Sequence, residues 1–420
     1  MQSNPVGSRQ SSSPVLTIIA ILACATMACA LTLNRSFQHQ IAVDIFFSLT
    51  LAGCTIVFLS VRPLREFPQV IGVAVVLVGL QLIFLKAPLR ALPAAALLGL
   101  SSLLLLAVRR IGSGGNIKER QLLYDSLVPP LLFLLLGYFG SGPLALTFRL
   151  HPKTLDLFLY SFDQSLGVQL SFKVGQVVLA SRWLTRSMLG VYYLLPLVIM
   201  FTYARLLVRD RTLAMMAFLA FAIAGPVGVV FYNLIPGCGP GCFMRGGYPF
   251  EVLSTQQLRQ LPLQPLLEGG ARNAFPSLHL GWALLALWYS ERLSLWTRIA
   301  MAIFFVGTVF ATLGLGEHYF VDLVAAFPFA LMIQAACALK VPISSARRIV
   351  ALVTGVGLMM VWVLLLRWGL LADWGELIWV SPVIPWLLVA GTIFVSLWLQ
   401  VQLRPLLFDP VDGARGRGES

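Results

Sequence analysis

Charge is scarce in this sequence. Only 11% of its 420 residues are Asp, Glu, Lys or Arg, against about 25% in an ordinary soluble domain, and 58% are hydrophobic. Water cannot solvate that much apolar side chain, so the composition excludes a soluble globular enzyme and predicts an integral membrane protein. Acids are scarcer than bases, 17 against 30, which leaves a net charge of +13. That excess does not point to nucleic acid. The basic residues are scattered through short loops, as in a polytopic membrane protein whose loop charges fix its orientation, and they suit anionic lipid head groups.

Cysteine is sparse as well, with six residues. Cys24, Cys29, Cys54 and Cys337 fall in apolar runs and read as small core residues. Cys238 and Cys242 instead flank Gly239-Pro240-Gly241 in a loop, a spacing that permits a small disulfide ring in an oxidising compartment. Two thiols fall short of the four ligands a zinc site wants. No metal and no cofactor is expected.

What the sequence has in quantity is long apolar runs. A membrane span takes roughly 20 apolar residues, and about twelve candidate spans can be drawn, predicting an all-α polytopic bundle. The chain divides into a polar, disordered N-terminus (1–13), an accessory transmembrane bundle (14–140), a catalytic domain (141–345), two C-terminal spans (346–403) and a disordered tail (404–420). Within the third part, segment 141–187 places Arg149, His151, Lys153, Asp156, Asp163 and Lys173 among apolar residues. It reads either as amphipathic helices lying in the interface plane or as a simple surface connector.

There are four histidines in the whole chain, and two stand in short polar islands at span ends. The first island is Arg272-Asn273-Ala274-Phe275-Pro276-Ser277-Leu278-His279, and the second is Gly316-Glu317-His318-Tyr319-Phe320-Val321-Asp322. His318 and Asp322 lie four apart, hence on one face if helical. A carboxylate there can accept a hydrogen bond from one imidazole nitrogen and leave the other nitrogen's lone pair exposed. An oriented neutral imidazole is a nucleophile suited to phosphorus, and a second one, His279, can serve as general acid and base. Ser277 and the first amides of the following helix suit an anion, with Arg272 and Arg245 as candidate cations and Tyr232 with the Gly237–Gly241 turn as a second wall. His–Asp pairs and Ser caps also serve purely structural ends in helices; the coincidence of both islands favours a phosphoryl or acyl transfer site.

Loop charges predict which side the islands face. Arg205, Arg209, Arg211, Arg292, Arg298, Lys340, Arg347 and Arg348 fall in loops opposite to both histidine islands. The positive-inside rule therefore puts the islands away from the cytoplasm, on the outer side of a plasma (inner) membrane.

The blocks Pro276-Ser277-Leu278-His279 and, about 40 residues on, His318-Tyr319-Phe320-Val321-Asp322 resemble the type 2 phosphatidic acid phosphatase superfamily. Their form, and the loop Tyr232-Asn233-Leu234-Ile235-Pro236 to Gly239-Pro240, look most like its inositol phosphorylceramide synthase branch. The resemblance covers roughly residues 150–340. It implies a six-helix unit with its site at the membrane–water interface, a metal-independent phosphohistidine mechanism, His318 as nucleophile, Asp322 as its partner and His279 as acid and base. The Ser-Arg pair usual in the superfamily's phosphatases is replaced here by Ala311 and Thr312. That departure favours transfer of a phospho-head group, from a lipid phosphate, phospholipid or polyprenyl phosphate, over plain hydrolysis. The competing reading is a non-enzymatic transporter or lipid-binding protein that keeps the fold.

Overall fold

The computed structural model describes residues 45–85, 91–112, 116–368 and 382–408, together with the isolated positions 22 and 26. The first predicted span, 14–33, and the N-terminal segment 1–13 therefore lie outside the described residues, apart from those two positions. The chain separates into two compact units, residues 1–137 and 138–420.

In the first unit, helices α1 (Ile45–Val61), α2 (Phe67–Leu85), α3 (Ala91–Gly112) and the front of α4 (Ile117–Leu150) form a bundle. Its core is Leu51, Cys54, Leu97, Leu100 and Leu127. Arg62 donates to both Glu66 and Glu119 at one end of it.

The second unit carries both islands. After α4 come a two-residue strand β1 (Lys153–Thr154), α5 (Asp156–Ser165), α6 (Leu170–Leu179), α7 (Arg182–Arg209) and α8 (Arg211–Leu234). Two short helices, α9 (Pro240–Phe243) and α10 (Thr255–Gln260), and strand β2 (Leu266–Leu267) interrupt the loop that follows. Then come α11 (Leu278–Tyr289), α12 (Leu295–Gly314), α13 (Phe320–Ala336), α14 (Ala346–Arg367) and α15 (Val383–Phe408). Strands β1 and β2 pair antiparallel, Lys153 opposite Leu267. Side-chain caps start several helices: Ser181 accepts from Leu184 N, Asp210 from Leu213 N and Ser294 from Thr297 N. Each satisfies an amide the first turn would otherwise leave bare.

Among the described residues, seven helices are long and apolar enough to cross a membrane. Of the other predicted spans, 14–33 lies outside those residues, and 41–61, 277–290 and 320–340 correspond to shorter described helices of 17, 12 and 17 residues. Helix α11 has only 12 residues and packs against α7, α8, α12 and α13. It is apolar nearly all round because protein surrounds it. Helix α13, with 17 residues, is almost wholly buried too. Hydropathy counted both as spans. The last helix runs to Phe408, so residues 404–408 are helical and not tail. Helix α4 is a single run of 34 residues through Leu150, so the interfacial segment expected from 141 starts only after it.

Candidate active site

Helix α11 sets His279 at its first turn, and the Leu315–Tyr319 turn between α12 and α13 presents His318. Two main-chain contacts hold the islands together. Ser277 N donates to the Asp322 carbonyl at 3.0 Å, and the Nδ1 of His318 lies 2.8 Å from the carbonyl oxygen of Ala274. The two imidazole ring centroids are 6.4 Å apart. A nucleophile meets phosphorus at about 3–3.5 Å, so a phosphoryl group fits between rings at that separation.

The tautomer of His318 follows from its partners. A carbonyl can only accept, so Nδ1 must carry the proton and Nε2 the lone pair. Asp322 is the more distant neighbour: its Oδ2 is 3.5 Å from Nδ1 and accepts the Tyr319 amide at 2.7 Å. The expected Asp–His hydrogen bond is thus corrected. The main chain of the first island orients the ring, and Asp322 stands beside it while closing the first turn of α13. His318 is 3% exposed. Burial lowers its pKa to about 4, against the opposing pull of the Glu317 carboxylate and the Ala274 carbonyl, so the imidazole is neutral at pH 7.

Ser277 is fully buried and caps α11, its hydroxyl accepting from Leu280 N at 3.4 Å. Tyr232 is buried at the end of α8 near the Asp322 carboxylate.

The expected cations have other roles. Arg272 is fully buried, and its guanidinium donates to five carbonyl oxygens: Nε to His151, Nη1 to Gly269 and Gly270, and Nη2 to Pro152 and Glu268. A guanidinium has five N–H groups, and all are spent on the main chain. Arg272 is therefore a clamp that ties the loop before α11 to the chain after α4, not a free phosphate donor. The Phe148 ring lies 5.1 Å from its Cζ. Arg245 is largely exposed and pairs with Glu268 at 3.2 Å, a solvated ion pair of small energy. Cys238 and Cys242 are free thiols. The Cys242 thiol donates to the Gly269 carbonyl at 2.8 Å.

Four further side chains shape the site. Tyr192 of α7 stacks on His279, centroids 3.8 Å apart and planes 21° apart, with its hydroxyl on the Glu317 carboxylate. Asp156 and Asp163 of α5 are both fully buried. Asp156 accepts the Cys238 and Gly239 amides at 3.0 Å. Asp163 accepts the Phe320 amide at 2.7 Å and the Val321 amide at 3.1 Å. Burial pushes the Asp163 carboxyl up to about 8, against the pull of the Phe320 amide. Their spacing was the available signal. Seven residues apart in a short helix means one face, and an interfacial helix would turn that face to water.

The glycine loop closes the arrangement. Gly241 N donates to the Gly316 carbonyl at 2.8 Å. Gly239 has φ +85°, and a Cβ there would lie 2.3 Å from the Glu317 carbonyl oxygen, so only glycine fits.

Residues 157–336 match the family model described as the PAP2 superfamily. The matched segment contains both islands, α6 to α13 and nearly all of α5. No curated protein and no solved structure matches the chain. Among the described residues, no group of three or more His, Cys, Asp or Glu side chains is placed to hold a metal ion.

Proposed function

We propose that this chain, a PAP2-superfamily protein over residues 157–336, is an integral membrane enzyme that takes a phosphoryl or phospho-head group from a lipid onto His318 and passes it to an acceptor. The observation that carries the reading is the His318 ring. It is buried, its Nδ1 is committed to a carbonyl acceptor, and its Nε2 lone pair is left for attack with a second imidazole 6.4 Å away.

In the first step Nε2 of His318 bonds to phosphorus as the P–O bond to the leaving group breaks. His279 gives a proton to that oxygen; burial lowers the pKa of its ring to about 3 in the free protein, so the bound phosphate anion must stabilise the protonated form. In the second step His279 takes a proton from the acceptor hydroxyl, the acceptor oxygen bonds to phosphorus and the P–N bond breaks, restoring neutral His318. Asp322 stabilises the positive charge on His318 while the bond to phosphorus exists. With water as acceptor the enzyme is a phosphatase; with water excluded it is a transferase. Two observations favour a transferase: Thr312 and Ala311 where phosphatases carry the Ser-Arg pair, and an Arg272 whose donors are all engaged by main chain. A plain phosphatase must bind the dianionic head of a phosphate monoester, whereas a phosphodiester carries one charge.

The site is assigned to the non-cytoplasmic side of the plasma membrane. His279 begins α11, and His318 sits where α12 ends. Arg292, Arg298, Lys340, Arg347 and Arg348 lie at the opposite ends of those helices and of α13, which the positive-inside rule makes cytoplasmic.

The test is incubation of the purified protein with a panel of lipid phosphates, polyprenyl phosphates and phospholipids. A new phospholipid product is the expected outcome, and free phosphate alone would make it a phosphatase. An acid-labile, base-stable phosphoenzyme should form and should be absent in a folded His318→Ala variant. Unchanged turnover in that variant would refute the reading and leave transport or lipid binding.

A further inference from the structure

We infer that Asp156 and Asp163 are positioning residues of the reaction, two buried carboxylates on one short helix that set the placement of His318 and of the loop against it. The inference rests on the functional reading above. Helix α5 reaches the site through main chain. Asp163 takes the first two amides of α13, Phe320 and Val321, one and two residues before Asp322 and directly after the His318-Tyr319 pair. Asp156, two turns earlier, takes the Cys238 and Gly239 amides.

Gly239 lies against the Glu317 carbonyl, and Gly241 N holds the Gly316 carbonyl. The His318 turn is therefore gripped on one side by Asp163 directly and on the other by Asp156 through the glycine loop. The Tyr319 hydroxyl stands beside Asp156 as well. A third tie, Leu155 N to the Pro236 carbonyl at 2.7 Å, anchors the start of α5 to the same loop.

Two alternatives are weaker. An acid at a helix start is often only a cap, but a cap is ordinarily supplied from the residues just before its helix. Asp163 comes from 157 residues away, so it fixes where α13 starts relative to the rest of the unit. An anion site on the first amides of α13 is also excluded, because Asp163 occupies the Phe320 and Val321 amides and Asp322 occupies that of Tyr319. A phosphoryl group must take its amide donors elsewhere.

The test uses the full-length protein in lipid nanodiscs, with Asp163→Ala, Asp163→Asn and Asp156→Asn, and with the lipid of the panel that the wild type turns over. Displacing a reacting group by about 1 Å costs about 100-fold. Asp163→Ala is expected to lower kcat about 10- to 100-fold with KM changed less than about threefold. Asp163→Asn keeps one acceptor oxygen for two amides and should fall between it and the wild type. Amide hydrogen exchange should quicken across residues 315–322 in the Asp163 variants and across 236–241 in Asp156→Asn, with the remaining helices unchanged. Wild-type kcat in any Asp163 variant that shows quicker exchange overturns the positioning role, as does unchanged exchange. A loss of kcat that merely tracks the folded fraction also overturns it. If the wild type turns over no lipid and forms no phosphoenzyme, the functional reading fails and takes the positioning role with it; failure confined to α5 shows instead as an active wild type with equally active variants.

Discussion

Replacing Arg272 by Lys separates two accounts of the same charge. As a phosphate ligand, Arg272 would be replaced tolerably by another cation, and the loss would appear in KM. As the clamp seen here, it cannot be. Its planar fork meets five carbonyl oxygens, whereas an ammonium has three protons in a different geometry. At least two carbonyls then lose their donor. A buried polar group left unsatisfied costs about 1–3 kcal/mol, so two cost about 2–6 kcal/mol. That is a large part of the whole stability of a domain, about 5–15 kcal/mol. Arg272→Lys should therefore melt well below the wild type in detergent or nanodiscs. The fraction that stays folded should keep a KM within about threefold of wild type, since no substrate contact is removed. Arg272→Met should be worse, because all five carbonyls lose a donor. A variant with wild-type melting and a KM raised tenfold or more would refute the clamp and restore Arg272 to the substrate.

Three further perturbations follow from the same geometry. In the proposed mechanism His318 attacks as the neutral ring, and burial lowers its pKa to about 4, so loss of the nucleophile should cut kcat/KM only below about pH 4; an acid-side loss beginning near pH 6.5 would show an unburied ring. Because the folded-state value lies below the unfolded 6.5, protonation favours the unfolded chain. This stability is complete above about pH 6.5 and is lost toward pH 4, by about 3 kcal/mol for a gap of about 2.5 units at 1.36 each, and chemical denaturation of His318→Gln across that range should lack this increment. Tyr192→Leu removes the ring stacked on His279; an aromatic stack contributes about 0.5–1.5 kcal/mol, so kcat should fall up to about tenfold, while Tyr192→Phe keeps the stack and should retain most of it. Gly239→Ala forces a Cβ to 2.3 Å from the Glu317 carbonyl at φ +85°. Backbone strain of this kind costs about 1–3 kcal/mol, and thermal melting together with kcat should both drop; wild-type values would mean that the loop is slack.

The two islands were legible because their chemistry is written in contiguous residues. A Ser before a helix, a His in its first turn and a His–Asp pair four apart are visible without a fold, and hydropathy places them at helix ends. The membrane class was legible for the same reason, since composition is local. The lengths of two of the buried helices were not. Leu278–Tyr289 and Phe320–Ala336 are apolar because other helices enclose them, and a hydropathy window cannot tell lipid from protein as the apolar neighbour. The role of Arg272 was likewise hidden: its partners at His151 and Pro152 are 121 and 120 residues away, and they are carbonyls, which every residue possesses.

The same blindness to main chain explains the largest correction, and it bears on how the nucleophile is made. A His–Asp pair at i, i+4 suggests that the helix supplies its own orienting carboxylate. Here the closer acceptor of Nδ1 is the carbonyl of Ala274, at 2.8 Å against 3.5 Å for Asp322. A neutral acceptor fixes the tautomer without adding charge, and burial keeps the resting imidazole neutral. The carboxylate, slightly farther off, is placed to act in the proposed step that makes His318 cationic by bonding it to phosphorus, where a negative charge in a dry site counts most. Asp322→Asn should then leave the Ala274 bond and the tautomer intact and cost mainly kcat, whereas a shift of the Ala274 carbonyl should cost the tautomer itself. Pro276→Ala, two residues on, frees that turn without touching either histidine. Nitrogen-15 spectra of the His318 ring should show the Nδ1–H form in Asp322→Asn and a mixture of tautomers in Pro276→Ala. The reverse assignment would return the orienting role to Asp322.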